Sequence, residues 1–316
     1  VLLLTLYESV LAALLVTAGM LAVGVEWRAA LLLGAIAIAT APASTLMVIR
    51  EVDSEGPLTD SLLAIIALNN IYCIIAFSLV GTVIDLSSGL DGSAGLVGTL
   101  YAALYPLVWQ LVGSVALGFL VGLLLARWAA MIKETGETLI LLGGSILFCV
   151  GVARLLDLSP LIASMAVGAT MVNLSQRSQP LFETLSEADP PFYAIFFVLA
   201  GAELDLSLVG SLGLAGVVYL VGRAVGKFLG ARVGARRLGM APVVRRYLGL
   251  TLLAQAGLAV GLTIPAEHRF PDIAPAVVAI VVASVAISEM FGPISTRWAL
   301  VHSGESRPQL PEELVI

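Results

Sequence analysis

The chain has 316 residues, of which 59% are hydrophobic and only 12% charged, and its formal net charge is −6. A soluble domain carries about 25% charged residues, so the composition, with a mean hydropathy of +1.03, excludes a soluble globular protein. The acidic balance gives no reason to expect a nucleic-acid partner. We predict an all-α integral membrane protein embedded in membrane lipid.

Ten apolar segments are long enough to cross a membrane, which takes about 20 mostly apolar residues. In chain order they are residues 1–24, 28–50, 58–85, 96–131, 136–156, 159–175, 180–203, 208–235, 243–265 and 272–300. The first begins at Val1 without a methionine or signal-peptide pattern, so we expect further N-terminal spans. The fourth is too long for one upright crossing, which predicts a tilted or overhanging helix.

Basic residues are distributed unevenly between alternate connections. The connections after even-numbered segments, with the tail, hold Arg50, Arg127, Lys133, Arg177, Arg232, Arg236, Arg237, Arg245, Arg246, Arg297 and Arg307. The opposite connections hold only Arg28, Arg154 and Arg269. The positive-inside rule therefore predicts a multi-pass protein of the cell (inner) membrane with a cytoplasmic C-terminus.

Two segments carry helix-weakening residues near their centres. The second contains Pro42 among the hydroxyls of Thr40, Ser44 and Thr45, and the ninth contains Gln255 followed by Ala and Gly. The two segments hold matching places in the triplets one to three and eight to ten. This predicts an inverted repeat with two crossed, interrupted helices. A simple proline kink and a stray glutamine are the alternative.

Six charged or asparagine side chains lie deep in these outer segments, and none of the middle segments has a charge near its centre. They are Glu8, Asn69, Asn70, Arg223, Lys227 and Glu289. Charges in a membrane are expensive and are usually paired or functional. Glu203 and Asp205 fall at the outer end of the seventh segment, where we interpret them as a solvated helix end or as the mouth of an entry path.

Each buried polar residue also has a structural interpretation. Lys227 lies four residues after Arg223, on the same helix face, and could snorkel to the headgroups. Arg223 is too central to snorkel, but it could be a purely structural clamp. Glu289 could be a partner of Lys227 or of backbone freed by a broken helix. Asn69 and Asn70 could hold helices together through amide hydrogen bonds.

No motif indicates a resident cofactor or an enzyme. Cys73 and Cys149 lie in separate apolar segments, and neither has metal-ligand spacing with a His. The chain has no glycine-rich phosphate loop. We therefore predict no resident metal or cofactor.

Five stretches together resemble the monovalent cation:proton antiporter superfamily, on its prokaryotic sodium/proton and potassium-efflux side. They are "TAPASTLMVIRE…GPLTDSLLAIIALNN", "FFVLAGAELD", "GRAVGKFLGA", "LLAQAGLAVGL" and "EMFGP". They occur in the family's order over about residues 1–300.

The resemblance implies a homodimer in which a six-helix core carries the ion and moves against a static dimerisation bundle, in elevator fashion. The implied boundaries are 1–85 for the first core repeat, 86–206 for the scaffold with a long linking helix, 207–303 for the second core repeat and 304–316 for a cytoplasmic tail. A regulatory domain after Ile316 is compatible with this layout.

The chain departs from the family at its ion-binding residues. The family's pair is Asp-Asp or Asn-Asp, and the matching pair here is Asn69-Asn70. The Thr-Asp-Pro of some branches is Thr40-Ala41-Pro42. The family's intramembrane basic residue matches Arg223 or Lys227, and depth favours Arg223.

The resemblance implies exchange of Na⁺ or K⁺ for H⁺. Because an amide cannot titrate near neutral pH, we expect Glu8 to take over the acid's role, with Asn69 and Asn70 as neutral ligands. Two alternatives stay open: transport of another solute, such as an organic anion that Arg223 would attract, or a non-transporting sensor or assembly subunit.

Overall fold

The computed structural model describes residues 1–87, 96–129, 131, 135–175 and 213–306, with a few positions between 180 and 198. These residues are almost entirely helical. The helices are α1 (Leu2–Ala22), α2 (Trp27–Ile36), α3 (Pro42–Glu51), α4 (Pro57–Ser87), α5 (Leu96–Ala129), α6 (Thr135–Leu155), α7 (Pro160–Leu174), α8 (Gly213–Arg237), α9 (Pro242–Tyr247), α10 (Gly257–Gly261), α11 (Thr263–Arg269) and α12 (Ala274–Ser303). A 3₁₀ turn, Leu248–Leu252, continues α9. Proline opens α3, α4, α7 and α9, where its missing N–H costs nothing.

The second predicted segment is interrupted, but earlier than its sequence indicated. Helix α2 ends at Ile36 and residues 37–41 are not helical. The prediction placed the break at Thr40–Thr45, yet Pro42 begins α3 and Thr45 lies inside it. Proline ends the helix before it and is well suited to start the next one, so the break lies on its N-terminal side.

The ninth predicted segment is interrupted at residues 253–256, and Gly257 starts the following helix. The two halves, Pro242–Leu252 and Gly257–Arg269, are bent by 48° at this break. The two interruptions meet directly, because the Ala41 N–H donates to the Ala254 carbonyl at 3.0 Å. Backbone freed in one broken helix thus pairs with backbone freed in the other.

Six of the described helices are long and apolar enough to cross a membrane, and the bent pair makes a seventh when counted as one span. The predicted segments 28–50 and 159–175 contain the shorter apolar helices α2 and α7. The predicted segment 180–203 lies mostly outside the described residues, as do Glu203 and Asp205.

The chain forms two compact units. One comprises Val1–Ser88 and Val198–Ile316, and the other comprises Gly89–Phe197. In the second unit α5 is one continuous helix that packs on α6 and α7 around an apolar cluster including Val121, Cys149 and Val167. The first unit holds both interruptions and every buried charged side chain of the described residues.

Within the first unit, α1 and α8 approach closely along a stripe of glycines. The stripe is Gly222, Gly226, Gly230 and Gly234, spaced four residues apart on one face of α8. A Cβ on Gly230 would lie 2.6 Å from the Glu8 Cα, and one on Gly226 would lie 2.5 Å from the Ala12 Cα. Small residues let helices in lipid pack backbone to backbone, and here they bring α1 against the helix that carries Arg223 and Lys227.

The end of α12 is fastened to the start of α4. The Glu305 carboxylate accepts hydrogen bonds from the Leu58 N–H at 2.7 Å and the Thr59 N–H at 2.8 Å. Its backbone carbonyl accepts from the Glu55 N–H at 3.0 Å. Glu305 therefore caps α4, where a negative charge is favoured by the helix dipole.

The glycine stripe makes a testable prediction. Gly230→Ala should lower the melting temperature in detergent, because its Cβ must push the α1 backbone away. The matched control is Gly222→Ala, whose Cβ has its nearest neighbours at 3.5 Å, an ordinary contact. Alanine is the better helix former, so the control should melt at the same temperature or higher. Equal melting temperatures for the two variants would contradict the close contact at Gly230.

Candidate functional site

Arg223 joins the two interruptions. Its Nε donates to the Ala37 carbonyl at 3.2 Å and its Nη2 to the Ala39 carbonyl at 2.7 Å. Its Nη1 donates to the Leu253 carbonyl at 2.6 Å, and Nη2 also reaches the Ala254 carbonyl at 3.1 Å. The guanidinium faces the interior, as predicted, and it satisfies carbonyls that the broken helices leave without helical partners.

One helical turn further on, Lys227 lies at the centre of a second polar cluster. Its ammonium is ion-paired with the Glu8 carboxylate, and neither side chain has any exposed surface. The ammonium also donates to the Ile38 carbonyl at 2.6 Å and to Thr40 Oγ1 at 3.0 Å. A buried pair of this kind is stable only when further hydrogen bonds support both charges, and here both interrupted backbone and side chains supply them.

Asn69 completes the cluster. Its amide orientation is assigned from its neighbours, since oxygen and nitrogen are distinguished only by their hydrogen bonds. With the oxygen toward Lys227, Oδ1 lies 3.2 Å from Nζ and accepts from Thr40 at 3.0 Å. Nδ2 then donates to Glu8 Oε2 at 2.9 Å and to Ser9 Oγ at 3.1 Å. Glu8, Asn69, Thr40 and Lys227 thus form one hydrogen-bonded group, which we call the acid–ammonium cluster.

This geometry corrects one interpretation of the basic residues. Lys227 does not snorkel to the headgroups, because its ammonium is enclosed by protein oxygens and is ion-paired with Glu8. Arg223 bonds to backbone carbonyls of the broken helices, and its match to the family's basic residue stays a prediction. Sequence gives the depth of a residue along a helix, but two residues on one face can have different partners across it.

Glu289 and Asn70 lie near the interruptions but outside the acid–ammonium cluster. Glu289 accepts a hydrogen bond from Ser44 at 3.3 Å, so it partners the first turn of α3 and not Lys227. Its second oxygen and the Asn70 Oδ1 are buried without a hydrogen-bond partner among the described residues. Buried polar atoms are nearly always satisfied, so these two oxygens are available to a ligand.

The remaining predicted site residues support the backbone. Thr45 donates to the Ala41 carbonyl at 2.9 Å, within the first turn of its own helix. Gln255 donates to the Ile36 carbonyl at 3.1 Å and to the hydroxyl oxygen of Tyr219 at 3.0 Å. Both side chains therefore stabilise the ends of the broken helices and do not reach the acid–ammonium cluster.

Three parts of the site were missed in the sequence, namely Tyr219, the glycine stripe and Ser9, and the first two left a signal there. Tyr219, Arg223 and Lys227 are spaced four residues apart and form one polar face of α8. The glycine stripe has the same spacing on the same helix. Ser9, which donates to Glu8 Oε2 at 3.2 Å, could have been noted only as the neighbour of Glu8.

Comparison with known proteins decides the family. The model described as "Sodium/hydrogen exchanger, transmembrane" matches residues 1–302. The chain belongs to the sodium/hydrogen exchanger family. The resemblance to cation:proton antiporters is thereby confirmed, and the chain is a multi-pass membrane protein of a transporter family. No sequence among the curated proteins matches it closely.

The fold of this family member is similar to a solved structure. That structure is the sodium proton antiporter MjNhaP1 from Methanocaldococcus jannaschii at pH 8. The TM-score is 0.66 at 17% sequence identity, over 94% of this chain and 78% of the other. At this identity the likeness shows a shared antiporter fold and not a shared ion.

Because Arg223 bonds to carbonyls of both interruptions, we predict that folding depends on it. Arg223→Gln should lower the melting temperature strongly, because each carbonyl left unsatisfied costs about 1–3 kcal/mol. Arg223→Lys should be only slightly better, since a point charge cannot reach carbonyls of both breaks as a planar fork does. The control is Arg236→Gln, an exposed residue on the same helix. An Arg223→Gln variant as stable as this control would refute the stabilising role of these hydrogen bonds.

Proposed function

We propose that the chain exchanges a monovalent cation, Na⁺ or K⁺, for a proton at the acid–ammonium cluster. One observation carries the proposal: the Lys227 ammonium occupies a cage of oxygens from Glu8, Ile38, Thr40 and Asn69. Alkali cations bind to carbonyl and carboxylate oxygens of this kind. A site that holds an ammonium ion can therefore hold an alkali cation in its place.

Charge balance explains how the exchange is coupled. The cluster is sealed from water, and adding a net charge to such a place is costly. A cation that binds beside Glu8 replaces the ammonium as the counter-charge, so one proton must leave the Glu8–Lys227 pair. The proton belongs to the pair and not to either residue alone. The exchange is then one cation for one proton and electroneutral.

The layout of the chain supports an elevator mechanism within this proposal. The first unit contains the buried charges and both interruptions, and it carries the ion as the two core repeats. The second unit, with its own apolar core, is the static dimerisation bundle of a homodimer. In the described part of that second unit no charged side chain is buried, as a scaffold that carries no ion requires.

The anion-transport alternative is disfavoured by Arg223. Its guanidinium already donates to four backbone carbonyls from both interruptions. An anion would have to displace these carbonyls, and they would lose their partners. The non-transporting alternative predicts no ion flux at all.

Glu8→Gln should abolish cation-driven proton movement in proteoliposomes, because the acid–ammonium cluster loses its carboxylate, the negative charge that would bind the cation. The readout is an internal pH dye after addition of Na⁺, K⁺ or Li⁺. The matched control is Glu267→Gln, an exposed glutamate that should leave the flux unchanged. Flux retained by Glu8→Gln would sink the proposal.

A double variant separates folding from function. Glu8→Gln alone leaves Lys227 unpaired, and an unpaired buried charge costs about 3–5 kcal/mol. In the double variant Glu8→Gln with Lys227→Met, neither charge remains, so stability should return toward wild type while exchange stays absent. If the double variant regained flux along with stability, the loss in Glu8→Gln would reflect misfolding alone.

Asn70→Asp should make the exchange electrogenic, so that each cycle moves net charge across the membrane. Its Oδ1 is buried and unpartnered, so the variant places a second carboxylate where an oxygen is available to a ligand. We expect a lower KM for the cation, a shifted pH dependence, and flux that responds to an imposed membrane potential. Asn70→Gln, which keeps an amide, should stay insensitive to the potential. Equal behaviour of the two variants would place Asn70 outside the ion site.

A further inference from the structure

A groove of about 710 Å³ runs along the outer side of the α1–α8 pair. Apolar side chains of both helices line it, among them Leu6, Val10 and Val233, which are 48%, 46% and 41% exposed. Gly230 of the glycine stripe also lines it. A furrow between two spanning helices with such walls has the dimensions and polarity for a lipid acyl chain.

Arg237 and Tyr7 make the groove polar near the C-terminal end of α8. The Arg237 guanidinium carbon lies 5.7 Å from the centre of the Tyr7 ring, and Nη1 donates to the Tyr7 hydroxyl at 3.4 Å. This stacking holds the exposed guanidinium over the groove. Of its five N–H donors, one bonds to Tyr7, and the others have no acceptor among the residues described by the structure.

Within the part of the chain that the structure describes, no acid forms an ion pair with the basic residues at this end. None of the ion pairs formed by the described residues involves Arg237 or its neighbours Arg232 and Arg236. Arg245 and Arg246 follow in α9 and do not line the groove. A cluster of arginines beside the end of a spanning helix attracts anionic headgroups.

We infer that this groove binds an anionic phospholipid, with one acyl chain along Leu6, Val10 and Val233 and the phosphate held by Arg237 and Tyr7. The basic end of the groove suits the lipid phosphate, and the apolar walls suit the acyl chain. A zwitterionic lipid would bring its own ammonium group toward the arginines and bind less well. The inference does not depend on the proposed exchange.

The groove adjoins the exchange machinery through one residue. Gly230 lines the groove and packs against the Glu8 backbone. A lipid in the groove thus lies beside the contact that sets α1 against α8, and its binding should raise the thermal stability of this helix pair.

The test uses the purified, delipidated full chain in detergent, with binding measured by native mass spectrometry and thermal shift. Phosphatidylglycerol should bind about fivefold better than phosphatidylcholine with the same acyl chains, the factor that one basic contact near a membrane surface contributes. Arg237→Gln should remove this preference. Arg246→Gln, whose guanidinium lies over Tyr247 and outside the groove, should keep it.

A second variant tests the acyl part of the site. Val10→Trp fills the groove from an exposed position and keeps Arg237, so it should weaken binding of both lipids. The inference is overturned if the two lipids bind equally to wild type, or if Arg246→Gln loses as much preference as Arg237→Gln. It is also overturned if inorganic phosphate alone reproduces the thermal shift. None of these readouts needs ion flux, so failure here and failure of the exchange proposal are distinguishable.

Discussion

Backbone groups released by a broken helix must find partners inside the membrane, and this requirement organises the first unit. Two spans are broken at the same place, and a direct bond from Ala41 to Ala254 satisfies only part of the released backbone. With one side chain, Arg223 satisfies three more carbonyls and donates a second hydrogen bond to the Ala254 carbonyl. Helix α8 must therefore run beside both breaks, and α1 can join it only across a face without side chains. The glycine stripe provides that face.

The same arrangement creates a site suited to cations. Carbonyls and hydroxyls gathered around two helix breaks form a region rich in oxygen and poor in free N–H groups, which favours positive charge. Arg223 and Lys227 occupy this region. Only Lys227 has an acid partner and a set of oxygens that an alkali cation could share. One basic residue thus serves the fold, while the next one along the same face is available for exchange.

Sequence predicted the parts of this structure that depend on position along a helix. Pro42 and Gln255 located both breaks to within a few residues, and depth alone showed that Arg223 must face the interior. Partners across helices could not be predicted, because they depend on how each helix is rotated and how closely it packs. Lys227 is the clearest case, since its pairing with Glu8 requires the Gly230 contact. The four equally spaced glycines are visible in the sequence, but their role in close packing depends on α1 lying against them, which the sequence does not show.

The glycine stripe also has a consequence for the register of α1 against α8. Its members repeat every four residues, and they meet Val16, Ala12, Glu8 and Tyr7 in turn along α1. Because the glycines repeat every four residues, α8 would present the same small-residue face to α1 after a slip of four residues, about 6 Å along the axis. After such a slip, Glu8 and Lys227 would both stay buried but would be too far apart to pair, so each would lack its counter-charge. The Glu8–Lys227 ion pair therefore also selects one alignment of α1 against α8 from several that would pack closely.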